Sequence, residues 1–185
     1  MAVALEATLI EQLRRQEESA FNVIYERHKT QIYNYLLRLS GSRELADDLT
    51  HDTFLSAYES LPNLRPDSNI APWLYRIASN RFRDHLRRKR VISWMPWGDG
   101  QREEAALAVS GGEEALPERE AVHAALKTLK PDYSICLVLR LMEGFSSEET
   151  AKILNISPEA VRMRLSRARQ MFKAAYTSME KGSAL

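Results

Sequence analysis

The side chains best suited to chemistry in this sequence are the arginines of the segment that begins at Pro158. Arg162, Met163, Ser166, Arg167, Arg169 and Gln170 fall on one side of a helix, and Val161, Leu165, Ala168 and Phe172 fall on the other. That division follows from a turn of roughly 100° per residue. A planar guanidinium on the free face of such a helix can grip phosphates or the O6 and N7 of guanine in a major groove. A second set is Trp73, Arg76, Asn80 and Arg83, with Ile77, Asp84 and Arg87 around it. Aromatics and arginines stack on unpaired bases, and an Asn amide can read a base edge. A third set is Asp48, His51, Asp52 and Leu55, an acidic strip ending in an apolar side chain. It suits a protein partner that carries arginines. Paired carboxylates can also do acid–base work, but no nucleophile or metal ligand lies near them in sequence. There is one cysteine, Cys136, inside the apolar run Ile135 to Leu139, where buried packing is expected. His28, His51, His85 and His123 show no tight ligand spacing. These features point away from catalysis, a bound metal or a cofactor and toward binding.

The elements that carry these sets are helical. Phe21, Ile24 and Tyr25, then Ile32, Tyr35, Leu36 and Leu39, recur at three- and four-residue steps. Gly41-Ser42 interrupts the pattern, and Ser42 can cap the next helix, which runs from Glu44 to about Ser60. There Ala46, Leu49, Thr50, Thr53, Phe54 and Ala57 form the inward face, opposite the acidic strip. Leu61 to Pro72 holds Pro62, Pro66 and Pro72 and is read as a stiff exposed loop that includes Leu64 and Arg65. Pro72 suits the first turn of a helix that runs to about Arg90 and buries Leu74, Tyr75, Ala78, Phe82 and Leu86. Trp73 and Ile77 lie off that buried face, beside Arg76 and Asn80; they either stand free there or pack beneath the proline loop, which leaves Arg76 and Asn80 available for DNA.

A Gly-containing stretch without apolar period follows, and it reads as a linker. Its Trp94, Met95 and Trp97 are unusual in a linker and suit docking. A second small helical domain begins near Pro117. Its first helix covers Glu118 to Leu129, and its second opens at Pro131 and ends at Gly144. Ser146 with Glu149 makes a capping box. Asn155-Ile156 turns the chain, and Ser157-Pro158 opens the last helix with a cap and an N1 proline. Two short-linked helices, the second basic, describe a helix-turn-helix. A basic helix alone is often only a solvated face; the capped spacing is what favours DNA.

The chain of 185 residues has a net charge of only +1, but its charge is segregated. Trp73 to Arg90 holds seven Arg or Lys against one Asp, and Pro158 to Lys181 holds six against two acids. Between them, Val91 to Glu120 holds seven acids against two Arg. A polyanion-binding pattern therefore occurs twice, around an acidic connector. Hydrophobic residues make up 44% and charged residues 28%, and helix formers dominate. The expected class is all-α: two small helical domains joined by a flexible linker. A reducing cytoplasmic setting fits the single thiol. No signal peptide or membrane-spanning run is read, so direct membrane insertion is not expected.

Together these motifs resemble the extracytoplasmic-function (group IV) sigma factors of bacterial RNA polymerase. DLTHDTFL, Asp48 to Leu55, is similar to the polymerase-binding motif of region two. WLYRIASNRFRDHLRR, Trp73 to Arg88, is similar to the segment that melts and reads the minus-ten element. Leu126 to Phe172, with FSSEETAKILNISPEAVRMRLSRAR inside it, is similar to region four, which reads the minus-thirty-five element. The three motifs occur in the family's order and span about 150 of the 185 residues.

The resemblance implies region two over 1–92, an acidic linker over 93–117, region four over 118–178 and a tail over 179–185. It implies an alternative sigma factor, not an enzyme, that directs promoter-specific transcription in a stress or envelope response. Asp48, His51, Asp52 and Leu55 would contact the β′ clamp helices of core RNA polymerase, and region four the β flap. Leu64, Arg65, Trp73, Arg76, Asn80 and Arg83 would hold the minus-ten strand. Arg162, Met163, Ser166, Arg167 and Arg169 would engage the minus-thirty-five groove. An anti-sigma factor, often membrane-tethered in the family, would cover these faces and could wedge between the domains. His51 stands where the family usually has Gln, and Met163 where a small polar or basic residue is common; these departures bear on one polymerase contact and on promoter choice.

Two other readings compete. A free-standing helix-turn-helix regulator explains Pro158 to Lys173 but not DLTHDTFL or the proline loop, and it requires firm duplex binding without polymerase. A helical enzyme on nucleic acid requires a carboxylate metal cluster or a nucleophile–base pair, and the sequence offers neither.

Overall fold

The computed structural model describes residues 10–15, 17–92 and 117–182. Every regular element among them is helical: α1 (residues 10–14), then α2 (Glu18–Ser40), α3 (Arg43–Ser60), a 3₁₀ turn (Leu61–Asn63), α4 (Ile70–Ile92), α5 (Pro117–Lys127), α6 (Pro131–Leu141), α7 (Ser147–Leu154) and α8 (Pro158–Gly182). The stretch expected to be the linker, with Trp94, Met95 and Trp97, lies outside the described residues, as does the end of the tail.

The first domain is built on α2, α3 and α4, with α3 between the other two in the chain of contacts. Alternation of apolar and polar positions decides which face of each helix turns inward. In α3 the buried residues are Ala46, Leu49, Thr50, Thr53, Phe54 and Ala57, the set its 3.6-residue period selects. Ser42 caps α3, accepting from the Leu45 backbone N–H. Tyr35 is wholly buried, and its hydroxyl lies 2.7 Å from Ser79 Oγ. Ser79 spends its one proton on the Tyr75 carbonyl, also at 2.7 Å. Tyr35 is therefore the donor to Ser79, which satisfies two buried hydroxyls in one relay.

Helix α4 begins at Ile70, two residues before the proline expected to open it. Pro72 is tolerated there because the first N–H groups of a helix have no intrahelical acceptor; the Trp73 N–H makes the first bond, to the Asn69 carbonyl at 3.2 Å. The loop before it is less exposed than its prolines suggest. Leu61, Leu64 and Ile70 are all buried.

In the second domain α7 and α8 form the helix-turn-helix. Ser146 and Glu149 complete both bonds of the capping box. The first of them, the Ser146 N–H donating to Glu149 Oε2 at 2.8 Å, is the main cause that holds the Glu149 carboxyl below its usual range. Asn155 closes α7 in the left-handed conformation, φ 53°, which Asn tolerates better than most residues. Ser157 caps α8 through the Ala160 N–H at 3.1 Å. Cys136 is fully buried, and burial pushes its thiol pKa up, so it packs as a small apolar group.

The two domains touch directly. Helix α2 meets α5 and α6, and α4 meets α7. One contact has no slack. Gly41 ends α2 at φ +67°, and a Cβ there would collide with the His123 ring of α5. Gly144 is also left-handed, φ +78°, but has open space around it. Both Gly→Ala changes are expected to cost about 1–2 kcal/mol of backbone strain. Only Gly41→Ala should also push the domains apart. Thermal unfolding with small-angle scattering on both variants checks this; equal compactness of the two would contradict it.

Candidate polymerase and nucleic-acid interfaces

The acidic strip forms as its spacing requires. Asp48, His51 and Asp52 are exposed on the outer face of α3, and Leu55 is 51% exposed. Three polar groups and one large apolar side chain thus stand on a rigid helix whose opposite face is core. A single exposed Leu is ordinary on a protein surface; what distinguishes Leu55 is its place at the end of the acidic row.

The α4 surface is only partly as expected. Arg76 and Asn80 are exposed, and Arg83 is half-buried. Arg83 is engaged: Nη1 donates to Asn80 Oδ1 at 3.2 Å, and Nε donates to Asp132 Oδ1 of α6 at 3.1 Å. Arg65 is exposed and forms a two-pronged pair with Asp67, at 3.1 and 2.8 Å. Trp73 and Leu64 depart from the expected free DNA-facing surface. Trp73 is 8% exposed and Leu64 4%, and both join Leu61, Ile70 and Leu74 in the core. The indole supplies more apolar area than an exposed helix position can keep in water, and the loop residues Leu61 and Leu64 turn inward in the same cluster. Ile77 also packs against that core.

On α8, Val161, Leu165 and Ala168 are buried, while Arg162, Met163, Ser166, Arg167 and Arg169 are all exposed. Met163 is 53% exposed. The five predicted groove-facing residues therefore share one free surface. Arg162 is paired with Glu159 of its own first turn at 2.6 Å, both side chains being well exposed. Such a pair contributes little in water and leaves Arg162 free to exchange its partner for a phosphate or a base. Arg164, which sequence reasoning left unassigned, lies at the edge of that surface, half-buried, and meets Asp132 at 3.6 Å.

The largest omission of sequence reasoning is Glu143. It follows α6, and its side chain is 8% exposed. It accepts from Arg38 Nη1 of α2 at 2.5 Å and from the Tyr75 hydroxyl of α4 at 2.6 Å. Burial, then this bond, raise the Tyr75 pKa. The Tyr75 ring meets Phe145 edge-on at 4.8 Å. No local pattern could have found these contacts, which span 105 and 68 residues.

Among the described residues no group of His, Cys, Asp and Glu could hold a metal ion, and no helix is long and apolar enough to cross a membrane. What the geometry offers is one free acidic strip and two basic helix faces.

The same division appears in related proteins. Residues 24–91 match the model of Sigma-70 region 2, and residues 119–172 match that of Sigma-70, region 4. The RNA polymerase sigma factor CarQ of Myxococcus xanthus is 31% identical over 92% of this chain and 97% of its own. The ECF RNA polymerase sigma-E factor of Escherichia coli is 30% identical over 88% of this chain and 89% of its own. Among solved structures, CnrH in complex with the cytosolic domain of CnrY is similar, with a TM-score of 0.70 and 25% identity, covering 94% of this chain and 97% of that one. So is the sigma factor RpoE of Bartonella quintana in complex with the anti-sigma factor NepR, with a TM-score of 0.66 and 23% identity, covering 85% of this chain and 96% of that one.

Proposed function

Because this chain belongs to the sigma-70 family, in its extracytoplasmic-function branch, it is an alternative sigma factor that directs promoter-specific transcription, and we propose how its surfaces divide that work. The observation that carries the proposal is the coexistence, on separate helices, of a free acidic strip and two basic faces. The domains are assigned as region two over 1–92, linker over 93–117 and region four over 118–178, with 179–185 as a tail.

Asp48, His51, Asp52 and Leu55 bind core polymerase at the β′ clamp helices. Two carboxylates at i and i+4 form a compact negative row for arginine forks, and Leu55 supplies apolar area that is covered only on binding. Region four docks on the β flap. Arg65, Arg76, Asn80 and Arg83 hold the minus-ten strand; Leu64 and Trp73, from within the core, fix the position of the loop and of the first turn of α4. Arg162, Met163, Ser166, Arg167 and Arg169 enter the minus-thirty-five major groove, where a helix of this width fits. The factor acts in the cytoplasm and serves initiation without catalysing a reaction itself. Two relatives were solved with protein partners, one of them named an anti-sigma factor. That supports a regulatory partner of the same kind here, membrane-tethered in a response to envelope stress.

The test is strand opening. Core polymerase with this chain should render thymines of the minus-ten element reactive to permanganate. Arg76→Ala with Asn80→Ala should reduce that reactivity by at least roughly thirtyfold while leaving binding to core polymerase intact, since each contact is worth about 1–3 kcal/mol and about 1.4 kcal/mol is tenfold. Unchanged reactivity in the double variant would remove α4 from minus-ten recognition.

A further inference from the structure

We propose that the cleft where α4, α6 and α8 meet is a binding site for a nucleoside diphosphate or triphosphate. The cleft has a volume of about 870 Å³, within the range of small-molecule sites. Five cationic side chains line it: Arg83 and Arg87 from α4, Lys130 at the head of α6, and Arg164 and Arg167 from α8. Asp132 is the one acid in the lining. It lies 3.1 Å from Arg83 Nε and 3.6 Å from Arg164 Nη2. Arg87 is paired with Asp84 of its own helix, at 2.9 Å. Lys130 and Arg167 meet no carboxylate among the described residues.

Cations gathered around a concave surface repel one another and raise the local positive potential, which a bound anion relieves. One carboxylate does not balance five cations. The Arg83 and Arg164 side chains are each only 26% exposed, so salt screens them less than it would on an open helix. Guanidinium forks match phosphate oxygens, and the Lys130 ammonium adds a point charge beside them. The remainder of the lining is largely apolar and includes Leu86, Tyr133 and Met163. A bare phosphate makes no use of these groups. An aromatic ring and a flexible thioether suit the face of a base. A short phosphate chain carrying a nucleoside uses both kinds of lining at once.

A duplex does not fit in this cleft. A single carboxylate bridges its walls, whereas the major groove of DNA alone is about 12 Å wide. Leu86, Lys130 and Tyr133 also stand outside the residues assigned to promoter DNA, so DNA binding does not account for them. Arg83 and Arg167 belong to both sets. Nucleotide and promoter therefore compete for these two arginines, and a chain with its cleft occupied binds its promoter less well. That competition rests on the division of surfaces given above; the site itself does not.

The experiment uses the full chain in three forms: unaltered, Lys130→Ala and Tyr133→Leu, with circular dichroism to establish that all three fold. Calorimetry measures the binding of ADP, GTP, inorganic pyrophosphate and adenosine, with sulfate at matched ionic strength as the control anion. Both nucleotides should bind, pyrophosphate more weakly, and adenosine and sulfate least. Lys130→Ala should weaken the nucleotides by roughly tenfold or more, for loss of a charged hydrogen bond. Tyr133→Leu should weaken the nucleotides and leave pyrophosphate unchanged. No binding of either nucleotide at millimolar concentration, binding no tighter than sulfate, or equal binding by Lys130→Ala would overturn the site. Pyrophosphate as tight as ADP would overturn the nucleoside part of the proposal. ADP should also displace a minus-thirty-five duplex from the unaltered chain, and at a roughly tenfold higher concentration from Lys130→Ala, whose own affinity for the duplex should not change. Binding of ADP without displacement would leave the site standing and overturn the shared use of Arg83 and Arg167.

Discussion

Replacing Asp48 and Asp52 together by Ala should weaken binding to core polymerase by at least roughly tenfold and leave the fold intact. Both carboxylates are exposed on the outer face of α3, so their removal leaves no cavity and no unpaired buried group. What is lost is the negative row that a partner's guanidinium groups would grip. Truncating a side chain at the centre of an interface costs about 1–2 kcal/mol or more, and about 1.4 kcal/mol is tenfold in affinity. Leu55→Ala should add to the loss through apolar area and not through charge. Raising salt should therefore diminish the effect of the carboxylate pair more than that of Leu55. Competition for core polymerase against a labelled sigma factor, at two salt concentrations, measures both. Unaltered competition by the double variant would assign the strip to solvent alone.

Removing Arg162 and Arg167 by Ala should nearly abolish recognition of the minus-thirty-five element. The two are exposed on the free face of α8, opposite the buried Val161, Leu165 and Ala168. If each reads guanine with both prongs of its guanidinium, each costs about 1–3 kcal/mol and sequence preference relaxes. If each grips only phosphate, affinity falls alike on all sequences, and the slope of log affinity against log salt drops by about one per Arg. Salt titrations on a cognate and a scrambled duplex separate these cases. Stability should hardly change, because the Arg162–Glu159 pair lies on the surface. Arg164 is a useful contrast: it faces Asp132 of its own domain, and its replacement should act on that pair before it acts on DNA.

How much of this was legible depends on the range of the interactions involved. The two faces of α3 and the core stripe of α8 follow from helical period, and Ser42, Ser146 with Glu149, and Ser157 follow from capping chemistry within three residues. All are local. For Trp73 the sequence left two readings open, free beside Arg76 or packed beneath the proline loop, because its helical angle lies well away from the buried stripe of Leu74, Ala78, Phe82 and Leu86 and only the loop could cover it. What decides its burial is the loop residues Leu61 and Leu64, whose inward turn has no periodic signal. The beginning of α4 at Ile70 was hidden by Pro72, which usually marks a first position but is tolerated anywhere in a first turn. Glu143, Asp132 and Arg164 were invisible for a different reason. Glu143 and Asp132 have partners in the other domain, 105 residues away in the case of Arg38 and Glu143, and Arg164 meets Asp132 across its own domain. No pattern within one helix reports a contact between domains. The basic and acidic segments were legible from sequence; that Arg83 of α4 and Arg164 of α8 meet at one carboxylate, Asp132, was not.

The central claim is most directly tested by run-off transcription with purified core polymerase, this chain and a pool of bacterial promoter fragments. Promoter-specific transcripts that appear only when the chain is present are the expected result. Firm binding of the chain alone to duplex DNA, with no transcript from core polymerase at any promoter, would contradict it and favour a free-standing regulator.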